Sequence, residues 1–242
     1  MRIPRLFIDK PLTVGATVAA NKETAHYVAT VLRIDVGREA VLFNGTGGEY
    51  SARVITASKK TVEFELLEFM GCDIESPLHT QLAIGISKGD RMDWVVQKST
   101  ELGATAIQPI YTERTEVKFK AVRLEKKLRH WQQIIINACE QSHRTAVPKL
   151  HTPLSFNDYL AQCDGESKLI LDPHNAQSLD SFEKAPASVS LLVGPEGGFS
   201  EEEVNQSHDQ GFTSWCLGPR ILRTETAPIA ALSVLQEKWG DF

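Results

Sequence analysis

The chain has 242 residues, of which 42% are hydrophobic and 24% charged, and its formal net charge is −5. That balance excludes disordered and fibrous classes and suits a globular protein with core material for two modest domains. No apolar run approaches the ~20 residues a membrane helix needs, and Arg2 and Arg5 are not followed by a signal-type apolar stretch, so a cytoplasmic protein without a membrane partner is expected. Cys72, Cys139, Cys163 and Cys216 are scattered, with no C-x-x-C and no histidine at ligand spacing. Reduced thiols and no metal site are predicted.

The charge is unevenly distributed. Residues 1–70 carry nine basic and eight acidic side chains, residues 86–149 carry twelve and seven, and residues 150–210 carry two and eleven. Binding to a polyanion needs a local basic surface rather than a basic protein, so the first two segments permit RNA binding despite the overall sign.

In chain order, residues 1–70 hold short β-rich runs at 41–43, 50–55 and 61–67, with Asn44-Gly45-Thr46-Gly47-Gly48 as a hairpin loop between the first two. Ala25, Val28, Ala29 and Leu32 recur at helical spacing, which predicts one helix over 23–32. A small, mostly antiparallel barrel results. Glycine, acids and proline in 71–77 mark a linker. From residue 78 strands alternate with helices, which argues for a mostly parallel sheet in a second domain, 78–242.

In that domain a strand at 82–86 precedes a helix whose inner face is Met92, Val95, Val96, Ser99 and Leu102, ended by Gly103. A second strand, 104–110, leads into a loop with Arg114, Lys118 and Lys120. A long helix follows with Leu124, Leu128, Trp131, Ile135 and Ala138 as its core stripe, so Trp131 is read as packed. Residues 169–171 form a third strand, ended by Asp172-Pro173-His174; no nucleophile motif accompanies these, which disfavours a hydrolase triad.

Two glycine-punctuated loops then follow apolar runs at 189–193 and 215–217. The first is GPEGGFS from Gly194, and the second is LGPRILRTETA from Leu217. Glycine directly after a strand lets the backbone turn and approach a ligand, and strand ends are where open α/β sheets bind ligands. Ser200 with Glu203 reads as a capping box, so the acids 201–203 offset a helix dipole; Thr226 with Pro228 reads as another helix start. Neither loop fits a dinucleotide or P-loop fingerprint.

These motifs resemble the signature of the bacterial RsmE family, the 16S ribosomal RNA (uracil-N3) methyltransferases of the SPOUT class. The likeness extends over MRIPRLF, VLR at 31–33, ASKK at 57–60, QKSTELGAT from Gln97, ACEQSHR from Ala138, GPEGG and LGPRILRTETA. The resemblance implies an α/β fold: a PUA-like RNA-binding β-barrel, then a SPOUT-type parallel sheet whose C-terminal loops bind S-adenosylmethionine inside a trefoil knot. It also implies a homodimer and, as partner, 16S ribosomal RNA of the small subunit, methylated at N3 of uridine 1498.

Carried onto this sequence, the cofactor would meet Leu171, Leu192, Gly194, Pro195, Gly197, Gly198, Leu217, Gly218, Ile221, Leu222 and Thr226. Arg5, Arg33, Lys88, Arg91, Arg114 and Arg144 are the expected RNA contacts. N3 chemistry requires loss of a uracil proton, which an arginine near O2 or O4 would favour and a carboxylate or water would accept. Arg223, Glu225 and Glu196 are the catalytic candidates, Arg223 first because it is always charged; either glutamate could instead hold loop geometry. Two rival readings are an RNA-binding module without catalysis and a ribose 2′-O-methyltransferase.

Overall fold

The computed structural model describes residues 3–58, 60–72, 74–172, 179 and 184–242. Arg2, Pro173 and His174 lie outside them. The chain forms two compact units. One comprises Met1–Glu75 with Cys139–Val147, and the other Ser76–Ala138 with Pro148–Phe242.

The first unit is a five-stranded mixed sheet in the order β1-β3-β4-β5-β2, from β1 (Arg5–Phe7), β2 (Thr17–Ala19), β3 (Glu39–Phe43), β4 (Glu49–Ala57) and β5 (Val62–Met70). Three pairings are antiparallel and β1 with β3 is parallel. Val62, Phe64 and Leu66 alternate with glutamates along β5 and join Leu6, Leu42 and Val54 in the core, as the two-residue period of a strand demands. Residues 44–48 make the expected hairpin turn. The helix expected over 23–32 is split: α1 (Lys22–His26) is capped by the Asn21 side chain, and a π-helical turn (Tyr27–Leu32) closes on Arg33 in left-handed backbone, φ 50°.

Residues 139–147, which sequence reading assigns to the second domain, pack in the first unit for a definable reason. Arg5 donates to the carbonyls of Cys139 and Arg144, each at 2.8 Å, and the Phe7 N–H donates to Glu140 at 3.0 Å. Glu75 accepts from the Thr145 and Ala146 N–H groups at 2.9 Å and from the Arg144 guanidinium at 2.7 Å.

The second unit is a seven-stranded, wholly parallel sheet. Its strands are β6 (His79–Gly85), β7 (Ala106–Tyr111), β8 (Lys149–Leu150), β9 (Leu154–Ser155), β10 (Ser167–Leu171), β11 (Ser188–Val193) and β12 (Thr213–Trp215). The order is β12-β10-β11-β6-β7-β8, with β9 also on β7. The last strand ends at Trp215, two residues before the expected run 215–217 does; Cys216 and Leu217 already belong to the loop. The chain leaves β6 toward β7 and later returns on its other side, so β6 and β11 flank a topological switch point.

Helix α2 (Arg91–Glu101) buries Met92, Val95, Val96 and Ser99 as its periodicity predicts, and Gly103 follows with φ +85°. Within the second unit, Trp131 of α3 (Ala121–Ser142) is buried, and its indole N–H donates to Asp93 of α2 at 2.9 Å. Helix α4 (Phe156–Gln162), not foreseen, covers the sheet near β9. Helix α5 (Glu201–Asp209) has both bonds of the Ser200–Glu203 capping box, and α6 (Ala227–Trp239) starts with Pro228 in its first turn.

Candidate active site

Because β12, β10, β11 and β6 are parallel neighbours, their C-terminal ends share one edge of the sheet. Leu171, loop 194–200, loop 216–226 and the turn after Gly85 are therefore gathered there from segments far apart in the chain. Packing at this edge is tight. A Cβ on Gly85 would lie 2.5 Å from the Pro195 nitrogen, and one on Gly194 would lie 3.1 Å from the Gly198 carbonyl carbon. The Gly198 N–H donates to the Pro195 carbonyl at 2.8 Å, closing a turn in which Gly198 has φ +68°. Gly218 takes φ +112°. Glycine thus serves here for close backbone approach and left-handed geometry, the two properties that make a backbone cradle.

The first loop is tied to its neighbours by polar bonds. Glu196 accepts from the Lys88 N–H at 3.0 Å and from the Arg91 guanidinium at 2.8 Å. Arg91 Nε also lies 3.8 Å from Glu225 in the second loop. One guanidinium thereby joins the carboxylates of both glycine loops. Partial burial works to raise the Glu196 carboxyl, but its own N–H, the Lys88 N–H and Arg91 outweigh this and hold it below the usual carboxylate range. Arg114 donates to the Gly197 carbonyl at 2.9 Å and packs its stem where a Gly197 side chain would stand.

The second loop is only partly exposed: Thr224 is buried, while Gly218, Pro219 and Arg220 are exposed. Arg223 is exposed, and its carbonyl accepts from the Thr226 and Ala227 N–H groups at the start of α6. Ile221 is 94% exposed, whereas Leu217, Leu222 and Glu225 are half-buried. Pro195 is buried and Thr226 exposed; the latter occupies the N-cap position without a side-chain cap bond. Leu171 ends β10 half-buried. Leu192, expected in a cofactor slot, is instead fully buried in the core with Ala83, Ile110 and Phe156, because alternation along β11 turns it into that layer.

The six expected RNA contacts divide. Arg33 is exposed; Lys88 is exposed and paired with Glu116; Arg91 and Arg114 are engaged with the loops. Arg5 and Arg144 do not face solvent. Arg5, 8% exposed, pairs with Glu49 at 2.7 Å, holds two carbonyls and lies over the Phe43 ring; Arg144, 5% exposed, pairs with Glu75. Both guanidiniums are consumed in ordering the first unit, which corrects the expectation of phosphate contact.

Sequence reading missed one further cluster at this edge. Asp172 is buried and accepts from Ser214 Oγ at 3.2 Å, and the same hydroxyl lies 2.9 Å from His208. Only the β10–β12 pairing brings these together, so spacing carries no signal of it. Among the described residues no group of three His, Cys, Asp or Glu is placed to hold a metal ion, and no helix is long and apolar enough to cross a membrane. All four cysteines are free thiols.

The second unit is a parallel α/β sheet with glycine loops over its switch point, where such sheets bind ligands, and residues 74–236 match the family described as RNA methyltransferase domain. Residues 20–67 match the RNA methyltransferase PUA domain. The ribosomal RNA small subunit methyltransferase E of Buchnera aphidicola (Schizaphis graminum) is 35% identical over 241 residues, covering 99% of this chain and 98% of the relative. That of Bacillus subtilis is 33% identical over 243 residues, covering 96% and 95%. The chain belongs to this methyltransferase E family. Among solved structures, the Neisseria gonorrhoeae family member bound to S-adenosyl methionine is 40% identical with a TM-score of 0.93. A Legionella pneumophila chain solved with bound SAM is 40% identical with a TM-score of 0.97; both comparisons cover 100% of each chain.

Proposed function

We propose that this protein transfers a methyl group from S-adenosylmethionine to N3 of uridine 1498 in 16S ribosomal RNA. The observation that carries the reading is the joining of two glycine loops, side by side at the switch point, through Arg91 to Glu196 and Glu225. The cofactor fits the residues present: Gly198 and Gly218, with nothing within 4 Å of where a Cβ would stand, leave backbone open to close approach, Gly194 packs against Gly198 to hold the turn, and the half-buried Leu217 and Leu222 offer apolar surface. Gly197 and Pro195 shape the first loop; Leu171 and Thr226 border the cradle. When bound, S-adenosylmethionine supplies an electrophilic methyl group on a sulfonium.

The uracil N3 proton has a solution pKa of about 9, and lowering it by about two units corresponds to roughly 3 kcal/mol. Arg223, exposed beside the cradle, would supply that as a fixed cation against the anion developing on O2 and O4. Glu196 is a weak base, since its acceptor oxygen is already committed to Lys88 and Arg91; it holds the loop. Glu225, whose contact to Arg91 is the long 3.8 Å one, is the proton acceptor in this reading. Arg33, Lys88 and Arg114 contact RNA, while Arg91 organises the loops.

We assign residues 78–242 as the catalytic domain and 1–70 as the RNA-binding domain, with 71–77 between them, and expect the C-terminal loops to form a trefoil knot. A homodimer in the cytoplasm completes the proposal: Ile221, almost wholly exposed beside the glycine loop, is the apolar surface a second protomer or the cofactor would cover. The test is calorimetry with S-adenosylmethionine, followed by methylation of small subunits from a strain lacking the gene and mass spectrometry of the digested nucleosides. N3-methyluridine is expected. Absence of heat at millimolar cofactor, or a 2′-O-methyl product, overturns the reading.

A further inference from the structure

A cavity of about 200 Å³ opens in the second unit on the other side of the turn that carries Lys88. Its lining includes Lys88, Val117, Phe119, Arg123, Lys127 and Trp131. Trp131 is buried and forms its floor, fixed by the bond to Asp93; Phe119, half-buried, meets it edge to face with ring centroids 6.2 Å apart. Three cations stand at the rim. Arg123 lies 5.6 Å from the Phe119 centroid, and no carboxylate partner accompanies it among the described residues. Lys127 is 3.9 Å from Asp93, which His130 also reaches at 2.6 Å, and Lys88 pairs with Glu116.

An aromatic wall under an unpaired guanidinium is what an unstacked base with its phosphate recognises: the ring stacks, and the cation meets the phosphate or the base face. The position narrows the occupant. Lys88 lines the cavity and binds Glu196 with its N–H, so the cavity adjoins the Arg91–Glu196–Glu225 cluster without being part of it. Resting on the methyltransferase reading above, we propose that this cavity binds a flipped-out nucleotide of the substrate RNA next to the methylated one, stacked on Phe119 and clamped by Arg123.

The experiment uses the full protein, with unmethylated small subunits for kinetics and 16S RNA transcribed with 4-thiouridine for crosslinking. Losing a stack costs about 1–3 kcal/mol, so Phe119→Ala should raise KM for subunits at least about 5-fold, with kcat and S-adenosylmethionine affinity unchanged. Phe119→Trp should restore KM, which a merely structural role would not do, and Arg123→Gln should raise it comparably. Irradiation should join RNA to the peptide containing Val117 and Phe119, at a nucleotide adjacent to the target. An unchanged KM in Phe119→Ala, no rescue by tryptophan, or a crosslink mapped to the target uridine itself overturns the proposal. Wild-type protein that crosslinks at this peptide but transfers no methyl group would instead sink the methyltransferase reading and leave the pocket standing.

Discussion

Replacing Arg5 by methionine tests whether this arginine orders the fold or touches RNA. The substitution keeps much of the apolar stem but deletes a guanidinium that binds Glu49 at 2.7 Å and the carbonyls of Cys139 and Arg144 at 2.8 Å each. Each buried carbonyl left without its charged donor costs about 1–3 kcal/mol. Glu49 is partly exposed and regains water, so the whole loss should fall within the 3–5 kcal/mol typical of a broken buried pair, roughly. Against a total stability of about 5–15 kcal/mol this is severe, and Tm should fall by roughly 10 °C or more. Urea titration followed by circular dichroism measures the loss; RNA binding is then measured by anisotropy at low temperature, where the variant is folded. Affinity should stay within about 2-fold of wild type. Normal stability with a tenfold loss of RNA affinity would refute the structural assignment.

Arg223→Ala should abolish turnover while leaving S-adenosylmethionine affinity within a few-fold by calorimetry; a large loss of binding would make Arg223 a cofactor ligand instead. Glu225→Gln should lower kcat by about 100-fold or more, whereas Glu196→Gln, which keeps the acceptor oxygen, should cost about tenfold at most; reversed magnitudes in steady-state assays would exchange the two roles. Burial raises the Glu140 carboxyl above its ordinary 4.5, opposed by the Phe7 N–H and Arg5. A raised folded-state value means stability present in acid and lost as pH rises through it. Glu140→Gln, which can keep the Phe7 bond, should therefore gain stability over wild type as pH rises above the ordinary carboxylate range and lose that gain in acid; a gain that grows in acid would contradict the assignment.

Much of the fold was legible because period and punctuation carry it. The alternation of Val62, Phe64 and Leu66, the α2 stripe ended by Gly103 and the Ser200–Glu203 box are local signals, and local physics reads them correctly. What was not legible depends on distant partners. Residues 139–147 end a helix whose earlier turns pack in the second unit, and nothing in their own pattern reveals that Arg5, some 134 positions away, claims their carbonyls. The two-residue strands β8 and β9 are too short for a periodic signal and exist only because β7 offers an edge.

The same distinction explains the site. Glycine spacing identified both loops, because left-handed turns and close backbone approach favour glycine. Charge, by contrast, does not announce its partner: Arg5, Arg33, Arg91 and Arg144 read alike in sequence, yet two are buried donors, one ties two loops together and one stands in solvent. Burial decides which. An arginine placed where backbone carbonyls end a helix meets acceptors that cannot leave, whereas Arg33, exposed and in left-handed backbone after a π-helical turn, meets no such acceptor among the described residues. An arginine is therefore better assigned to phosphate after its internal acceptors are excluded. By that criterion Arg33 and Arg223, exposed in the two units, stay open to nucleic acid, whereas Arg5 and Arg144 do not.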